Sequence, residues 1–524
     1  MRKQQTLFAG AAILAGAGVI VKVIGACFKI PLGAILQPEG IAVFSVAYNL
    51  YALLFALATS GVPVAVSKQV AEAAAYGRYA ETVAVVQTAL MVFVPLGLAG
   101  SGVLWFGSAY FANAMGIPDA EAAIQAIAPA VFFVSLLSVL RGYYQGFRDM
   151  VPTATSEVIE ALVKMLLGLF LAWYLRQNGH TVEFQAAGAL CGVTAGTALA
   201  CLYLCLLRRR VSVAFPKKPQ CKISRRNLLK TLFSQTVPIT LSAAVIGLTN
   251  VIDSGLIMKL LQRIGYSVAD SMRLYGTYTY ATNIFNLPNV LISTLAVSLI
   301  PTAAEAVANE NRSVLSQTKH DTLSVTALLS CAAASGLAAL AYPTLDLLYG
   351  RGVEAQVLRE AGTMLTILCA GIPPLAIATM TNALHQATGR AKIPMLSMAI
   401  GAGVKLAANA ILVQIPNINI FGAAVSTVLC YTVVAGINWC FLYDRDSLRS
   451  LLKRPIVVGI CTGTVAKIVY SYTKLVFFSE IAVLLSVFCG GITFFCVGNL
   501  LKCSLFFLIN AKKYSIKTEK IKFF

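Results

Sequence analysis

The sequence predicts an all-α polytopic membrane protein with about 14 transmembrane helices. We expect two six-helix lobes related by a pseudo-twofold axis along the membrane normal, plus two C-terminal helices. Three observations predict this fold. First, 58% of the 524 residues are hydrophobic and only 12% are charged, whereas soluble domains carry about 25% charged residues. Second, long apolar stretches fill the chain. Third, its two halves repeat the same motifs.

Fourteen apolar stretches are long enough to cross a hydrocarbon core about 30 Å thick. They lie near residues 6–36, 40–66, 80–111, 121–146, 152–175, 184–207, 229–260, 273–303, 318–345, 358–386, 393–415, 419–443, 455–474 and 478–501. The first stretch is too long for a cleaved signal peptide, so we expect it to remain in the mature protein.

The distribution of basic residues predicts the topology. With a cytoplasmic N-terminus, and with residues near a span end counted on the nearer side, 29 of the 41 Lys and Arg residues are inner, 7 are outer and 5 lie within spans. This positive-inside bias predicts a multi-pass protein of the bacterial cytoplasmic membrane with both termini in the cytoplasm. It also accounts for the net charge of +20. We expect no nucleic-acid partner, because no aromatic stacking platform accompanies the basic runs.

Basic and apolar runs divide the chain into five parts. We expect the boundaries at 1–207 for the first lobe, 208–228 for a basic cytoplasmic linker, 229–443 for the second lobe, 444–502 for the two extra helices and 503–524 for a basic cytoplasmic tail. The linker is the densest basic run, and we expect it to lie against anionic lipid.

The two lobes repeat one unit at a nearly constant offset. Matching pairs are Gln145 and Gln386, Pro152 and Pro394, Lys164 and Lys405, Pro63 and Pro301, and Glu72 and Glu310. Their offsets lie between 238 and 242 residues. Because each copy holds six spans, an even number, both copies insert in the same orientation. A central cavity between parallel halves is then the expected binding site.

Lysines within the spans are the first candidates for a site. Lys22 and Lys29 are seven residues apart in the first span, which places them on one helical face together with Gly18 and Gly25. A charged group at mid-bilayer costs from about 2.5 to over 10 kcal/mol. Two interpretations stay open for Lys22: neutralisation by a structural carboxylate, or a place on the wall of a wet cavity. The motif "KIPLG" at Pro31 predicts a helix break.

The fifth span carries Glu157, Glu160 and Lys164 on one helical face. The spacing of four allows an intrahelical ion pair between Glu160 and Lys164. Lys405 occupies the matching position of the second lobe and has no acidic residue in its own span. Lysines repeated across a pseudo-twofold axis would face each other over the central cavity.

The seventh span contains Asn250, Asp253 and Ser254. Their oxygen atoms suit a coupling ion, Na⁺ or H⁺, because hard cations prefer oxygen ligands. A salt bridge from Asp253 to a lysine of the other lobe is the alternative. The eighth span, rich in Tyr and Asn around Pro288, suits either a cavity wall or structural packing.

Catalytic and cofactor-binding motifs are missing from the sequence. No HExxH, GxSxG or phosphate-binding loop occurs, and the 13 cysteines show no zinc-type spacing. We therefore expect no enzyme activity and no cofactor beyond a coupling ion. Buried lysines in a low-dielectric cleft favour an anionic substrate such as a diphosphate.

The stretches "GVIVKVIGACFKIPLGAIL" and "LRGYYQGFRDMVPTATSEVIEALVK", with the motif "SGVPVAVSK", resemble the stage V sporulation protein B and polysaccharide-exporter group. This group belongs to the multidrug/oligosaccharidyl-lipid/polysaccharide flippase superfamily and is similar to the bacterial lipid II flippase. The resemblance covers nearly the whole chain. It implies alternating-access movement of undecaprenyl-diphosphate-linked cell-wall precursors, with lipid II as the expected cargo, in growth or sporulation.

The resemblance also implies roles for individual residues. Lys22 and Lys29 take the places of the family's first-span arginines, and Asn283 stands where an eighth-span arginine is found. A family sodium site on the seventh span makes Asp253 the candidate Na⁺ ligand. Asn49 of the second span joins the substrate-binding candidates. The implied partners are the lipid-linked oligosaccharide diphosphate, the bilayer and proteins of cell-wall synthesis.

Two other functions remain open at this point. A cation-coupled multidrug exporter of the same superfamily would need an acidic, aromatic cavity, which the lysines disfavour. A non-transporting membrane scaffold for wall synthesis or sporulation would not need the buried lysines.

Overall fold

The computed structural model describes residues 7–212, 225–294, 312–390, 392–442 and 447–501. The described residues form helices, turns and short loops, without a β-strand. The helices are α1 Leu7–Thr59, α2 Val62–Ala75, α3 Tyr79–Phe106, α4 Ser108–Ala114, α5 Glu121–Gly146, α6 Val151–Gln177, α7 Val182–Ser212, α8 Arg225–Arg263, α9 Val268–Phe285, α10 (described over 287–294), α11 Arg312–Ala339, α12 Ala341–Tyr349, α13 Ala355–Cys369, α14 Ile372–Ala387, α15 Lys392–Leu412, α16 Phe421–Cys440, α17 Ser447–Thr473 and α18 Ser479–Leu500.

The chain forms two compact units, Met1–Thr279 and Tyr280–Phe524. The first unit contains α1 to α8 and the beginning of α9, and the second contains the end of α9 and the remaining helices. The lobe boundary at residue 229 stays a sequence-based prediction.

Helix α1 is 53 residues long, roughly 80 Å at 1.5 Å per residue, and therefore far longer than one membrane crossing. It is broken at Gln37, which has φ 59°. The following Pro38 has no N–H to donate to the Ala34 carbonyl four residues earlier. The guanidinium of Arg176 on α6 replaces that donor, at 2.7 Å from the Ala34 oxygen and 2.8 Å from the Ile35 oxygen.

The break predicted at Pro31 lies six residues further along. Pro31 is inside α1, and Gln37 is the non-helical residue. A residue that precedes a proline is disfavoured in the α region, and at Gln37 a side chain from another helix satisfies the carbonyl groups that the break releases.

Small residues bring α6 and α7 into backbone contact. Gly188, Gly192 and Gly196 form a stripe along α7. A Cβ atom on Gly192 would lie 2.5 Å from the Gly168 backbone of α6, and one on Gly196 would lie 2.6 Å from the Glu160 carbonyl oxygen. Such stripes allow close packing where no hydrophobic effect drives helices together. The Glu160 region of α6 is therefore held tightly against α7.

In the second unit, glycines also bring helices into backbone contact, here at the C-terminal pair of helices. Gly459 and Gly463 of α17 lie against the backbone of α11, with ideal Cβ positions 2.8 Å from the carbonyl oxygens of Cys331 and Ser335. The Ser335 hydroxyl in turn donates to the Gly459 carbonyl. The two extra helices are thus packed onto the unit, since α18 contacts α17.

Corresponding residues of the two repeats make corresponding contacts within their own units. The Tyr144 hydroxyl on α5 donates to the Leu204 carbonyl on α7 at 3.3 Å. His385, which is 241 positions later, places its Nε2 atom 3.1 Å from the Asn438 carbonyl oxygen on α16. This recurrence agrees with the repeat that the sequence predicts.

Ten helices of the described residues are long and apolar enough to cross a membrane, or eleven if α13 and α14 form one span bent by 50°. One of the ten, Ala12–Ala75, has 64 residues and the length for two crossings. The polytopic membrane architecture is therefore confirmed, and the number of 14 spans stays a prediction.

Several predicted features lie outside the described residues. They are most of the basic linker at 213–224, the basic tail from 502 onwards, the end of the eighth span and the repeat copy around Pro301 and Glu310.

Substituting Gly192 with leucine should separate α6 from α7, because the new side chain would overlap the Gly168 backbone. We expect a loss of about 3 kcal/mol of stability, at the upper end of overpacking costs, measured as a lower thermal unfolding midpoint in detergent. Gly102→Leu is the matched control, since nothing lies within 4 Å of a Cβ atom there. Equal midpoints for the two variants would contradict the close contact.

Candidate functional site

The lysine face of α1 borders open space. Lys22 is half-buried and Lys29 is exposed. Ideal Cβ atoms on Gly18 and Gly25 would lie more than 4 Å from any atom of the described residues. The two glycines therefore leave room beside the lysines within this part of the chain.

Lys164 of α6 lies next to this face of α1. Its ammonium nitrogen is 5.6 Å from the centroid of the Phe28 ring, a distance at which the face of an aromatic ring attracts a cation. Lys29 and Lys164 are close enough to interact electrostatically. The structure thus brings together two of the predicted substrate-binding lysines from separate helices. We refer to Lys29 and Lys164 as the α1–α6 lysine pair.

A second group of charges lies on the neighbouring part of α6. The Arg141 guanidinium of α5 donates to the Glu160 carboxylate at 2.8 Å and to the Ser156 hydroxyl at 3.0 Å. Both ion-pair side chains are mostly shielded, with exposures of 10% and 18%. Glu157 interacts electrostatically with Arg141 and Glu160. Arg141, Glu157 and Glu160 form the α5–α6 charge cluster.

The partner of Glu160 differs from the one that helical spacing predicts. Spacing alone favours Lys164, four residues later on α6, but Glu160 pairs with Arg141, 19 positions away. A guanidinium forms directional hydrogen bonds that a lysine ammonium does not match. Glu160 is therefore engaged by α5, and Lys164 lies beside Phe28 instead. Arg141 itself was missed as a site residue, although it opens the motif "RGYYQG".

Aromatic rings line the part of α1 that carries Asn49. Consecutive ring centroids of Phe44, Tyr48, Tyr51 and Phe55 are 5.6 to 5.8 Å apart. Tyr51 is buried and interacts electrostatically with Glu160 and Arg141. The half-buried Asn49 thus belongs to a helix segment in which the Tyr51 ring interacts with the α5–α6 charge cluster.

The predicted coupling residues lie on α8. Asp253 is 6% exposed and Ser254 is 1% exposed, whereas Asn250 is exposed. The Ser254 hydroxyl donates to the Val251 carbonyl of its own helix. Gly255 lies against Met115, with an ideal Cβ position 2.7 Å from its sulfur. Within the described ranges, no three His, Cys, Asp or Glu residues gather to hold a metal ion.

Two predicted substrate-binding residues belong to the second unit. Lys405 is half-buried on α15, and Asn283 is half-buried near the end of α9. Lys405 follows the first residue of α15 by 13 positions, as Lys164 follows the first residue of α6. The two lysines therefore share one register within equivalent helices of the repeat.

These features define a class of protein: a polytopic membrane protein with acidic and basic side chains on its transmembrane helices. Comparison with known proteins gives the family. The chain belongs to the polysaccharide biosynthesis protein family, whose profile matches residues 7–307. A MatE profile matches residues 275–411.

Two curated relatives span most of the chain. The lipid II flippase MurJ of Bacillus subtilis is 26% identical over 488 residues, covering 88% of each chain. Stage V sporulation protein B of Bacillus subtilis is 26% identical over 438 residues, covering 81% of each. The first of these relatives is named a flippase, which is a transport protein. The prediction that this chain is not an enzyme agrees with that relative.

Two solved structures share the fold. An inward-facing multidrug resistance MATE family transporter of the MOP superfamily matches with a TM-score of 0.67 and 16% identity, covering 84% of this chain and 99% of its own. The lipid II flippase MurJ in an inward closed conformation matches with a TM-score of 0.62 and 16% identity, covering 92% and 98%. The sequence-based resemblance to the polysaccharide-exporter and stage V sporulation protein B group is confirmed by the family profile and the relatives.

Removing the Arg141 guanidinium should destabilise the protein, because it leaves the shielded Glu160 carboxylate without its cation. We expect Arg141→Met to cost about 3 kcal/mol, seen as a lower thermal unfolding midpoint. Lys164→Met should be neutral or slightly stabilising, since it relieves repulsion with Lys29. A larger loss in Lys164→Met than in Arg141→Met would show that Lys164 is the partner of Glu160.

Proposed function

We propose that this protein is a flippase that moves undecaprenyl-diphosphate-linked cell-wall precursors, with lipid II as the expected cargo, across the cytoplasmic membrane. The head group would enter from the cytoplasmic leaflet and cross through a lysine-lined cavity by alternating access, while the lipid tail stays in the bilayer. Similarity to the lipid II flippase of Bacillus subtilis over 88% of the chain supports the substrate class.

The α1–α6 lysine pair is the observation that carries the proposal. Two neighbouring ammonium groups repel each other, and the repulsion grows in a medium of low dielectric constant. Glu160, the acidic residue closest to Lys164 in the α6 sequence, is engaged by Arg141. Two neighbouring ammonium groups would attract a bound diphosphate. They would repel a cationic drug, which argues against a multidrug exporter.

Each lysine has a distinct part in the proposed cavity. Lys29 and Lys164 would bind the diphosphate as point charges, because an ammonium group lacks the planar fork of arginine. Lys22 lies two helical turns away on the same face of α1 and would hold the head group at another depth. Lys405, with Asn49 and Asn283, completes the proposed set. The Glu157 and Glu160 carboxylates would position Arg141 and the neighbouring part of α6.

Asp253 is the proposed coupling residue. Its side chain is buried on α8 beside the buried Ser254, and a carboxylate at membrane depth needs a cation, a proton or an opposite charge to compensate it. We propose that Asp253 binds Na⁺ or H⁺, or changes its charge partner between states. Asn250 and Ser254 would contribute further oxygen atoms.

The lysine mechanism predicts the activity of matched variants in a strain depleted of its own lipid II flippase. Lys22→Gln should abolish growth while the protein still accumulates, because fixed charge in the cavity is lost. Lys22→Arg should retain part of the activity, since the charge remains and its geometry changes. Lys29→Gln should be milder, because Lys164 still supplies one ammonium group to the diphosphate. Full growth with Lys22→Gln would exclude the cationic-cavity mechanism.

The coupling role predicts a defect in Asp253→Asn that protein levels do not explain. We expect at least a tenfold lower transport rate in proteoliposomes under a sodium or proton gradient, and a weaker response of the rate to that gradient. Asp270→Asn, an exposed position at the start of α9, is the control. An unchanged gradient response in Asp253→Asn would remove the residue from coupling.

A further inference from the structure

A cavity of about 190 Å³ lies where α2, α3 and α8 meet, apart from the lysines and the α5–α6 charge cluster. We call it the α2–α3 cavity. Its lining includes Gln69, Glu72, Tyr76, Arg78, Glu81 and Leu228. By the predicted topology, the turn that connects α2 with α3 faces the cytoplasm, so the cavity would lie at the inner surface of the membrane.

The charged side chains give this cavity a net negative lining. Glu72 and Glu81 supply two carboxylates, and Arg78 supplies one guanidinium. Glu81 is buried, with 7% exposure. The Arg78 guanidinium is 3.5 Å from the Glu81 carboxylate and 4.8 Å from the centroid of the Tyr76 ring. The Arg78 side chain is 52% exposed, and water therefore weakens its attraction to the Glu81 carboxylate. A cation is therefore the preferred occupant.

The Gln69 side chain is a second and independent sign of a ligand. Gln69 lines the cavity and is 7% exposed. Neither its amide nitrogen nor its amide oxygen makes a hydrogen bond with the residues that the structure describes. Buried side-chain amides normally find partners, and leaving both ends unsatisfied is costly. An occupant with hydrogen-bond donors would satisfy the Gln69 oxygen together with the carboxylates, and an oxygen atom next to those donors would accept from the Gln69 nitrogen.

We propose that the α2–α3 cavity binds a primary ammonium group of the ethanolamine type. Three N–H donors match the Glu72 carboxylate, the Glu81 carboxylate and the Gln69 amide oxygen. The volume exceeds that of a bare metal ion and excludes a large drug-sized molecule, since drug pockets measure about 300 Å³ or more. A lipid head group at the inner membrane surface and a free amine in the cytoplasm share this chemistry.

An ammonium group bound in the α2–α3 cavity would also affect how α8 packs against α2 and α3. Leu228 and Thr231 of α8 line the same cavity as the α2 and α3 residues. An ammonium group held between these helices therefore stabilises the arrangement in which α8 lies against them, and its occupancy favours that state of the transporter.

The test is the thermal unfolding midpoint of the full-length protein in nanodiscs made only of phosphatidylglycerol. We expect ethanolamine hydrochloride at 50 mM, on the order of ten times a millimolar dissociation constant, to raise the midpoint by about 2 to 4 °C relative to equal sodium chloride. Choline, whose ammonium has no N–H donor, should not raise it. Glu72→Gln and Gln69→Leu should abolish the shift, while Gln87→Leu, an exposed glutamine of α3, should keep it.

A second arm distinguishes the two sources of the ammonium group. If a lipid supplies it, nanodiscs with phosphatidylethanolamine should raise the wild-type midpoint, and added ethanolamine should add nothing further. If a free amine supplies it, phosphatidylethanolamine should have no effect and ethanolamine should act in both kinds of nanodisc. The proposal is overturned if neither amine shifts the wild type, if choline acts equally, or if both cavity variants respond like the wild type.

Discussion

The constraint on which the structure depends is the cost of placing ionised groups at membrane depth. Each such charge costs several kcal/mol unless protein, water or a ligand compensates it. In the first unit the charges are sorted into an acid–base group, where Arg141 engages Glu160, and a cationic pair, where Lys29 lies near Lys164. This separation places two ammonium groups close together on α1 and α6, and the proposed recognition of an anionic cargo rests on them.

Backbone contacts between small residues fix the position of α6, which carries both groups of charges. The glycine stripe of α7 is pressed against α6 from Glu160 to Gly168. This contact occupies one side of α6 and leaves the faces towards α1 and α5 for the charged side chains. Arg176, at the far end of α6, bonds the carbonyl groups released where α1 breaks. One helix thus organises the break in α1, the lysine pair and the charge cluster.

Local patterns predicted much of this arrangement. The length of an apolar stretch predicted a span at 152–175, and the observed helix is Val151–Gln177. The repeat placed Lys164 and Lys405 in equivalent positions, and they share one register. The missed features depend on distant parts of the chain. Arg141 reaches Glu160 across 19 positions, and the helix break moved to Gln37, where Arg176 supports it. Residue spacing within one helix cannot predict contacts between side chains of different helices.

The most direct test of the account is a flipping assay with the purified protein in proteoliposomes, comparing two substrates with the same sugar and lipid. One substrate carries a diphosphate bridge and the other a monophosphate bridge. The account predicts rapid translocation of the diphosphate substrate, at least tenfold slower translocation of the monophosphate substrate, and loss of this preference in the Lys29→Gln/Lys164→Gln double variant. Equal rates for both substrates, or an unchanged preference in the double variant, would contradict recognition of the diphosphate by the lysine pair.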